Sequence, residues 1–193
     1  MNHAACQQYR RFWRAVLWLG WLAALATGQA GFCGDVSFTE YQVKALFLLN
    51  FTRYVDWPET ALAGSNAPIT IGVYGEDHFG AALQNAVADR RVNGRSILIE
   101  HVENTNDVFK CQVLFISNSE MKKQRQILVL LQTAPVLTVG ESDNFTDQGG
   151  VIDFIKKDGK IRLEINVRAA QQANLQISSK LLRVADVVKG GPK

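Results

Sequence analysis

Beyond its first 30 residues the chain is poor in the side chains that usually carry chemistry. One tryptophan remains there, Trp57, with two cysteines, Cys33 and Cys111, and two histidines, His78 and His101. His78 and His101 fall in different predicted elements, with no paired Cys/His and no His-x-x-x-His spacing, so the pattern offers no metal site. G-x-S-x-G, a phosphate-binding glycine loop and a dinucleotide fingerprint are all missing, which removes the common nucleophile and nucleotide chemistries. Two fragments imitate the penicillin-recognising serine enzymes: Ser119 to Lys122 fits S-x-x-K, and Ser142-Asp143-Asn144 fits S-D-N. The third element, Lys-Thr-Gly, occurs nowhere, and the first two lie too close together. Ser119 reads instead as a helix N-cap, and Lys122 as a solvated surface residue. No catalytic residue is assigned, and no cofactor or metal is implied.

A Lys/Arg cluster is also missing once the N-terminus is set aside. Arg10, Arg11 and Arg14 precede the apolar run Ala15 to Ala26, and small residues follow, the layout of a secretory signal peptide cut after Ala30. A lipoprotein anchor on Cys33 is disfavoured by bulky Phe32 before it; an uncleaved membrane anchor is the other reading of residues 1–30. The whole chain holds 21 basic and 18 acidic residues, with a pI near 8.8. Three of the basic residues and none of the acidic ones lie in the leader, so the mature chain is formally neutral. Nothing in it suggests a nucleic-acid or anionic-membrane footprint. The 193 residues less the first 30 leave 163, enough for one domain with a sizeable core. The expected layout is a signal peptide over 1–30, a tail over 31–39, one domain over 40–189 and a short tail over 190–193.

What the chain does have is alternation. The stretch EYQVKALFLLNFTRYVDWPE (40–59) is interrupted by charges too often to cross a bilayer. Val43, Leu46, Phe47, Asn50, Phe51 and Tyr54 recur at helical spacing, and Lys44, Thr52, Arg53 and Asp56 lie nearer the other side, predicting an amphipathic helix that ends near Asp56 ahead of Pro58. ITIGVYG then predicts a buried strand, and the segment after Asp77 a helix capped by that residue. An Asn93-Gly94 turn leads into the strand SILIEHV, and QVLFIS, SEMKKQRQILVLLQT and PVLTVG continue strand, helix, strand. Near-continuous Val/Ile/Leu runs separated by amphipathic helices predict an α/β fold with a mainly parallel central sheet. VIDFIKK-DG-KIRLEIN predicts a β-hairpin on an Asp-Gly turn. The helical segments VRAAQQAN and SSKLLRVADVV close the chain, the latter burying Leu181, Leu182, Ala185 and Val188. Two cysteines in a secreted chain permit one disulfide, Cys33 to Cys111; the competing reading makes Cys111 a small buried residue at a strand start.

The segments KALFLLNFTRYVDWP, GEDHFG, GRSI, CQVLFISNSE, VLTVGESDNFTDQGGVIDF, IRLEIN and LQISSKLLRVA, taken in order, resemble the YfiR family of small periplasmic proteins. The resemblance implies a non-enzymatic regulator, a homodimer, that inhibits an inner-membrane diguanylate cyclase through the cyclase's periplasmic sensor region. Cyclic di-GMP synthesis and biofilm formation fall as a result. It also implies a second partner, an outer-membrane-associated protein that sequesters the regulator. Family members carry cysteines suggesting two intramolecular disulfides, whereas here only Cys111 sits at a matching place and Cys33 lies outside the domain. The helix exit, Arg53, Tyr54 and Trp57, is the expected partner contact; plain burial of the same stripe competes with it. A different class of function, a periplasmic small-ligand or sensor domain, would use the loops after Tyr74, Ser117 and Gly140, at the carboxyl ends of parallel strands.

Overall fold

The computed structural model describes residues 38–62, 64 and 66–190. The expected signal peptide, Cys33 and the last three residues lie outside them. Thr39 and Gln42 open the first helix, α1 (Glu40–Tyr54), with a reciprocal capping box that satisfies two of its free amides. The chain then runs through β1 (Val55–Asp56), β2 (Ile69–Tyr74), α2 (Ala81–Val87), β3 (Arg91–Val92), β4 (Arg95–Val102), β5 (Val113–Ile116), α3 (Met121–Leu131) and β6 (Leu137–Gly140). It ends with β7 (Ile152–Lys157), β8 (Lys160–Asn166), α4 (Val167–Gln172), β9 (Gln176–Ile177), α5 (Ser179–Val184) and β10 (Val187–Lys189).

Eight strands form one sheet in the order β10-β8-β7-β6-β5-β2-β4-β3, and β1 pairs with β9 in a two-stranded ribbon. The sheet is parallel except where β7 meets β8 and β3 meets β4. Both antiparallel pairs are hairpins closed by turns with two positive φ angles, Asn93-Gly94 (50°, 81°) and Asp158-Gly159 (51°, 70°). That backbone matches the twist of the flanking strands. The mixed α/β fold with a mainly parallel sheet and a hairpin near its C-terminus agrees with the sequence pattern.

Every residue of β2, β5 and β6 is buried, because the sheet is covered on both faces. Val113 and Phe115 of β5 face a core built with α1, α2, α4 and α5, while Leu114 and Ile116 face a second core built with Ile127, Leu128 and Leu131 of α3 and with Phe145. Cys111 belongs to this second core, 1% exposed and without a disulfide partner among the described residues, its thiol pushed up to about 12 by burial and then by Glu100 and Asp107. The Phe145 ring lies between Gly140 and Gly150, where a Cβ on either glycine would overlap it.

Four expectations are corrected. The core face of α1 is Ala45, Leu48, Leu49, Phe51 and Thr52, with Lys44 buried beside them, whereas Leu46 and Tyr54 of the predicted stripe are 42% and 37% exposed. Leu46 to Leu49 are apolar on all sides of the helix, so spacing alone could not choose the face. Helix α2 starts at Ala81, not at Asp77, whose Oδ1 accepts from the Phe79 amide in a local turn. Ser119 does not cap α3: its hydroxyl accepts from the Glu76 amide on a neighbouring loop, while Ser117 caps the short 3-10 turn over Asn118–Glu120 that precedes α3. The last helix stops at Val184 and the chain becomes the edge strand β10, leaving Val188 exposed.

Replacing Gly150 by alanine is expected to lower stability by about 2–3 kcal/mol through overpacking against Phe145. Denaturant unfolding measures it, and a Phe145→Leu background should recover part of the loss.

Candidate functional site

The carboxyl ends of the parallel strands open into two depressions. A shallow one of about 390 Å³ lies beyond β2 and β4, lined by Tyr74, Gly75, Glu76, His101, Ser119 and Glu120. It sits where the chain, having gone from β2 outward to β4, returns to the other side of β2 as β5, the usual position of a ligand crevice in such sheets. The deeper cleft, about 410 Å³, lies beyond β5 and β6 and is walled by the start of α1, the loop after β6, and β7, β8 and β10. The loops after Tyr74, Ser117 and Gly140, named from sequence as a ligand site, thus contribute to two adjoining depressions.

The deeper cleft is organised by charge. Lys44, on the first turns of α1, is 3% exposed, and its Nζ lies 2.6 Å from both Glu40 Oε1 and Glu141 Oε2. The Glu141 side chain is itself only 4% exposed. The ammonium also lies 4.5 Å from the Tyr41 ring centroid, and the Tyr41 hydroxyl donates to both Glu141 oxygens at 3.2 Å. A buried pair survives only when its remaining donors and acceptors are satisfied, which Glu40, Tyr41 and the aromatic face accomplish. Burial, followed by the Glu141 charge, drives the Tyr41 phenol well above its ordinary range. The hydrogen bond from Lys44 is the main cause holding the Glu40 carboxyl below the usual range.

On the opposite wall Lys189 bonds Asp147 (2.6 Å) and Glu164 (2.8 Å), and Glu164 also pairs with the Thr146 hydroxyl. Asp153 and Glu164 are directly opposed across the β7–β8 pair. The flanking Ile152 and Phe154 point to the α1 core, so Asp153 points to the other face. It is 3% exposed, lines the cleft, and its Oδ1 has no hydrogen-bond partner among the described residues. Burial first, then the charges of Glu164, Asp143 and Glu141, raise its carboxyl to about 7. This carboxylate was not singled out from the sequence. The signal was present as an acid inside an otherwise apolar strand run, but which face it occupied depended on the register with β8.

The sequence-predicted partner residues lie elsewhere. Arg53 and Tyr54 are exposed at the end of α1. Trp57 is half-buried against the main core, and its indole N–H donates to the Gln112 carbonyl at 3.1 Å. Gln112 in turn accepts from the Thr70 amide through Oε1 and donates through Nε2 to the Ala61 carbonyl. Trp57 therefore pins the segment after α1 to the amino ends of β2 and β5, away from the cleft. His78 and His101 stay apart, His78 beside the Tyr41 ring at 5.3 Å and His101 on exposed β4.

Removing Lys44 would strand Glu141 in the interior; Lys44→Ala is expected to cost about 3–5 kcal/mol by chemical denaturation, and Lys44→Met with Glu141→Gln distinctly less than the two single changes together. Asp153 works in the opposite sense. Its raised folded-state value means the folded chain keeps a proton that the unfolded chain releases, so stability falls as pH rises from about 4 to about 7. Asp153→Asn should therefore stabilise the protein by roughly 2–4 kcal/mol at pH 8, and far less at pH 4. Thermal unfolding across that range reads the difference.

A family model described as YfiR/HmsC-like matches residues 41–186. No curated protein matches the chain. Among solved structures, a conserved domain protein from Vibrio cholerae O1 biovar eltor str. N16961 is similar at 16% identity and a TM-score of 0.46, over 62% of this chain and 54% of that one. The family match spans nearly the whole described domain, from the second residue of α1 to the residue before β10. The chain belongs to the YfiR/HmsC-like family, a regulatory, non-catalytic family of periplasmic proteins that bears on diguanylate cyclase signalling.

Proposed function

We propose that this protein inhibits an inner-membrane diguanylate cyclase by binding the cyclase's periplasmic sensor region, and that it acts as a homodimer. Membership of the YfiR/HmsC-like family is the observation that carries the reading. Among the described residues no helix is long and apolar enough to cross a membrane; on this reading the domain meets the cyclase through its surface. The exit of α1 supplies a suitable one: Tyr54 and Arg53 are exposed, and Leu46, about two turns earlier on the same helix, is 42% exposed. Tyrosine and arginine are enriched among residues whose truncation costs most at interfaces. Trp57 supports the same contact indirectly, by holding the segment after Tyr54 against the sheet. Inhibition across a membrane further requires tighter binding to the inactive cyclase than to the active one, since equal affinity would shift nothing.

Deleting the gene is expected to raise cyclic di-GMP and surface attachment. Complementation with Tyr54→Ala or Arg53→Glu should leave repression weak at normal protein abundance, because loss of a contact worth about 2 kcal/mol weakens binding roughly 30-fold. Trp57→Ala should instead lower abundance, through an unfolding cost of about 2–3 kcal/mol. Unchanged cyclic di-GMP on deletion, with each membrane cyclase of the host expressed in turn, would overturn the repressor reading; full repression by Tyr54→Ala and Arg53→Glu would move the contact elsewhere.

A further inference from the structure

The deeper cleft is unbalanced. Six carboxylates line it, from Glu40, Glu141, Asp143, Asp147, Asp153 and Glu164, against the ammonium groups of Lys44, Lys156 and Lys189. The lysines are already committed: Lys44 to Glu40 and Glu141, Lys156 to Glu40, and Lys189 to Asp147 and Glu164. Asp143 and Asp153 are left without a cationic partner among the described residues. Asp143 is at the surface and can be solvated. Asp153 cannot, for it is 3% exposed and one of its oxygens is bonded to nothing. A buried carboxylate with an empty acceptor is a large cost in an apolar setting, and an asparagine would sit there more cheaply.

The surroundings indicate what would complete it. Among the described residues no three carboxylate, imidazole or thiolate groups stand close enough to hold a metal ion, fewer than the roughly six to eight oxygens of a calcium cage, whereas a monovalent organic head suits two carboxylates. Beside the acids, half-buried Ile155, on the same face of β7 as Asp153, adds apolar surface to a mainly polar cleft. A volume of about 410 Å³ is that of a small-molecule site. We propose that this cleft binds a small organic cation, an alkylammonium or alkylguanidinium compound, whose charged head pairs with Asp153 and Asp143 while its stem lies along Ile155. The head meets the Asp153 carboxyl from the cleft side and supplies the charge that the surrounding lysines do not.

Binding is linked to protons. Asp153 must be ionised to pair with the head, and the titratable and charged groups that line the cleft with it are Glu164 on β8, Glu141, Asp143 and Asp147 on the loop after β6, Lys156 on β7, Lys189 on β10, and Glu40, Tyr41 and Lys44 on α1. Burial first, and then the surrounding acids, keep its proton on up to about pH 7. A cation displaces that proton, so affinity should rise about tenfold between pH 6 and pH 8 and flatten above.

The inference is independent of cyclase repression, and its test uses the purified mature protein alone. Isothermal titration with 1,4-diaminobutane and with butylguanidine, and with magnesium and calcium as controls, is expected to give saturable one-site binding of an organic cation and none of the metals. Asp153→Asn should abolish that binding while raising thermal stability, and Asp143→Asn should weaken it several-fold. Amines that fail to bind at millimolar concentration, equal affinity in the wild type and both variants, affinity that does not change from pH 6 to pH 8, or binding of the metals alone would each overturn the proposal. None of those results would touch the repressor reading, which is measured in cells as cyclic di-GMP.

Discussion

Three strands with no exposed face, β2, β5 and β6, set the terms for everything else in this domain. A parallel sheet cannot leave either side to water when its central strands are apolar throughout. One side is covered by α1, α2, α4 and α5, and the other by α3 and the loops that carry Val108 and Phe145. The two-sided demand also explains the glycines. Gly72 turns to the second core where a Cβ would strike the Cys111 sulfur, and Gly140 and Gly150 make room for one phenylalanine ring that caps the end of β6. The loop anchored by that ring carries Glu141, Asp143 and Asp147, so the packing of Phe145 positions the acidic wall of the cleft.

Two buried charges in the cleft illustrate opposite solutions. Lys44 and Glu141 are both nearly inaccessible, yet each is paired, and the pair fastens α1 to the carboxyl end of the sheet across 97 residues of chain. Such a pair adds little net stability over an apolar substitute but punishes the loss of one member. Asp153 is equally inaccessible and unpaired among the described residues. A fold selected for stability alone has no use for it, whereas a site that waits for a charge does.

Helix α1 joins the two regions of interest. Its first turns supply Glu40, Tyr41 and Lys44 to the cleft, and its last turn exposes Arg53 and Tyr54. Fifteen residues at 1.5 Å each separate them by about 20 Å. The amino-terminal end is held by the buried ion pair. Just past the other end, Trp57 is bonded to Gln112 and β1 pairs with β9. The helix is thereby tied at both ends to the same sheet.

Much of the architecture was legible in the chain itself. Alternating runs of β-branched residues and amphipathic segments determined a mainly parallel α/β sheet, and Asp158-Gly159 determined the C-terminal hairpin, because its backbone preference is local; Asn93-Gly94 was legible as a turn, but that it closes a hairpin with the short β3 appeared only in the structure. The ordered motifs were enough to place the family. Tertiary structure alone decided which side of α1 is buried: Leu46 to Leu49 ring the helix with apolar groups, and only Glu141, distant in sequence, makes burial of Lys44 tolerable. It decided likewise that Val187 to Lys189 join β8 as a strand rather than extend α5, since edge pairing is a property of the partner. Asp153 became recognisable as a buried, unpartnered acid only once the register with Glu164 and the loop over Phe145 were in place. Desolvation and charge proximity depend on what surrounds a residue, and its neighbours in sequence are few of those that do.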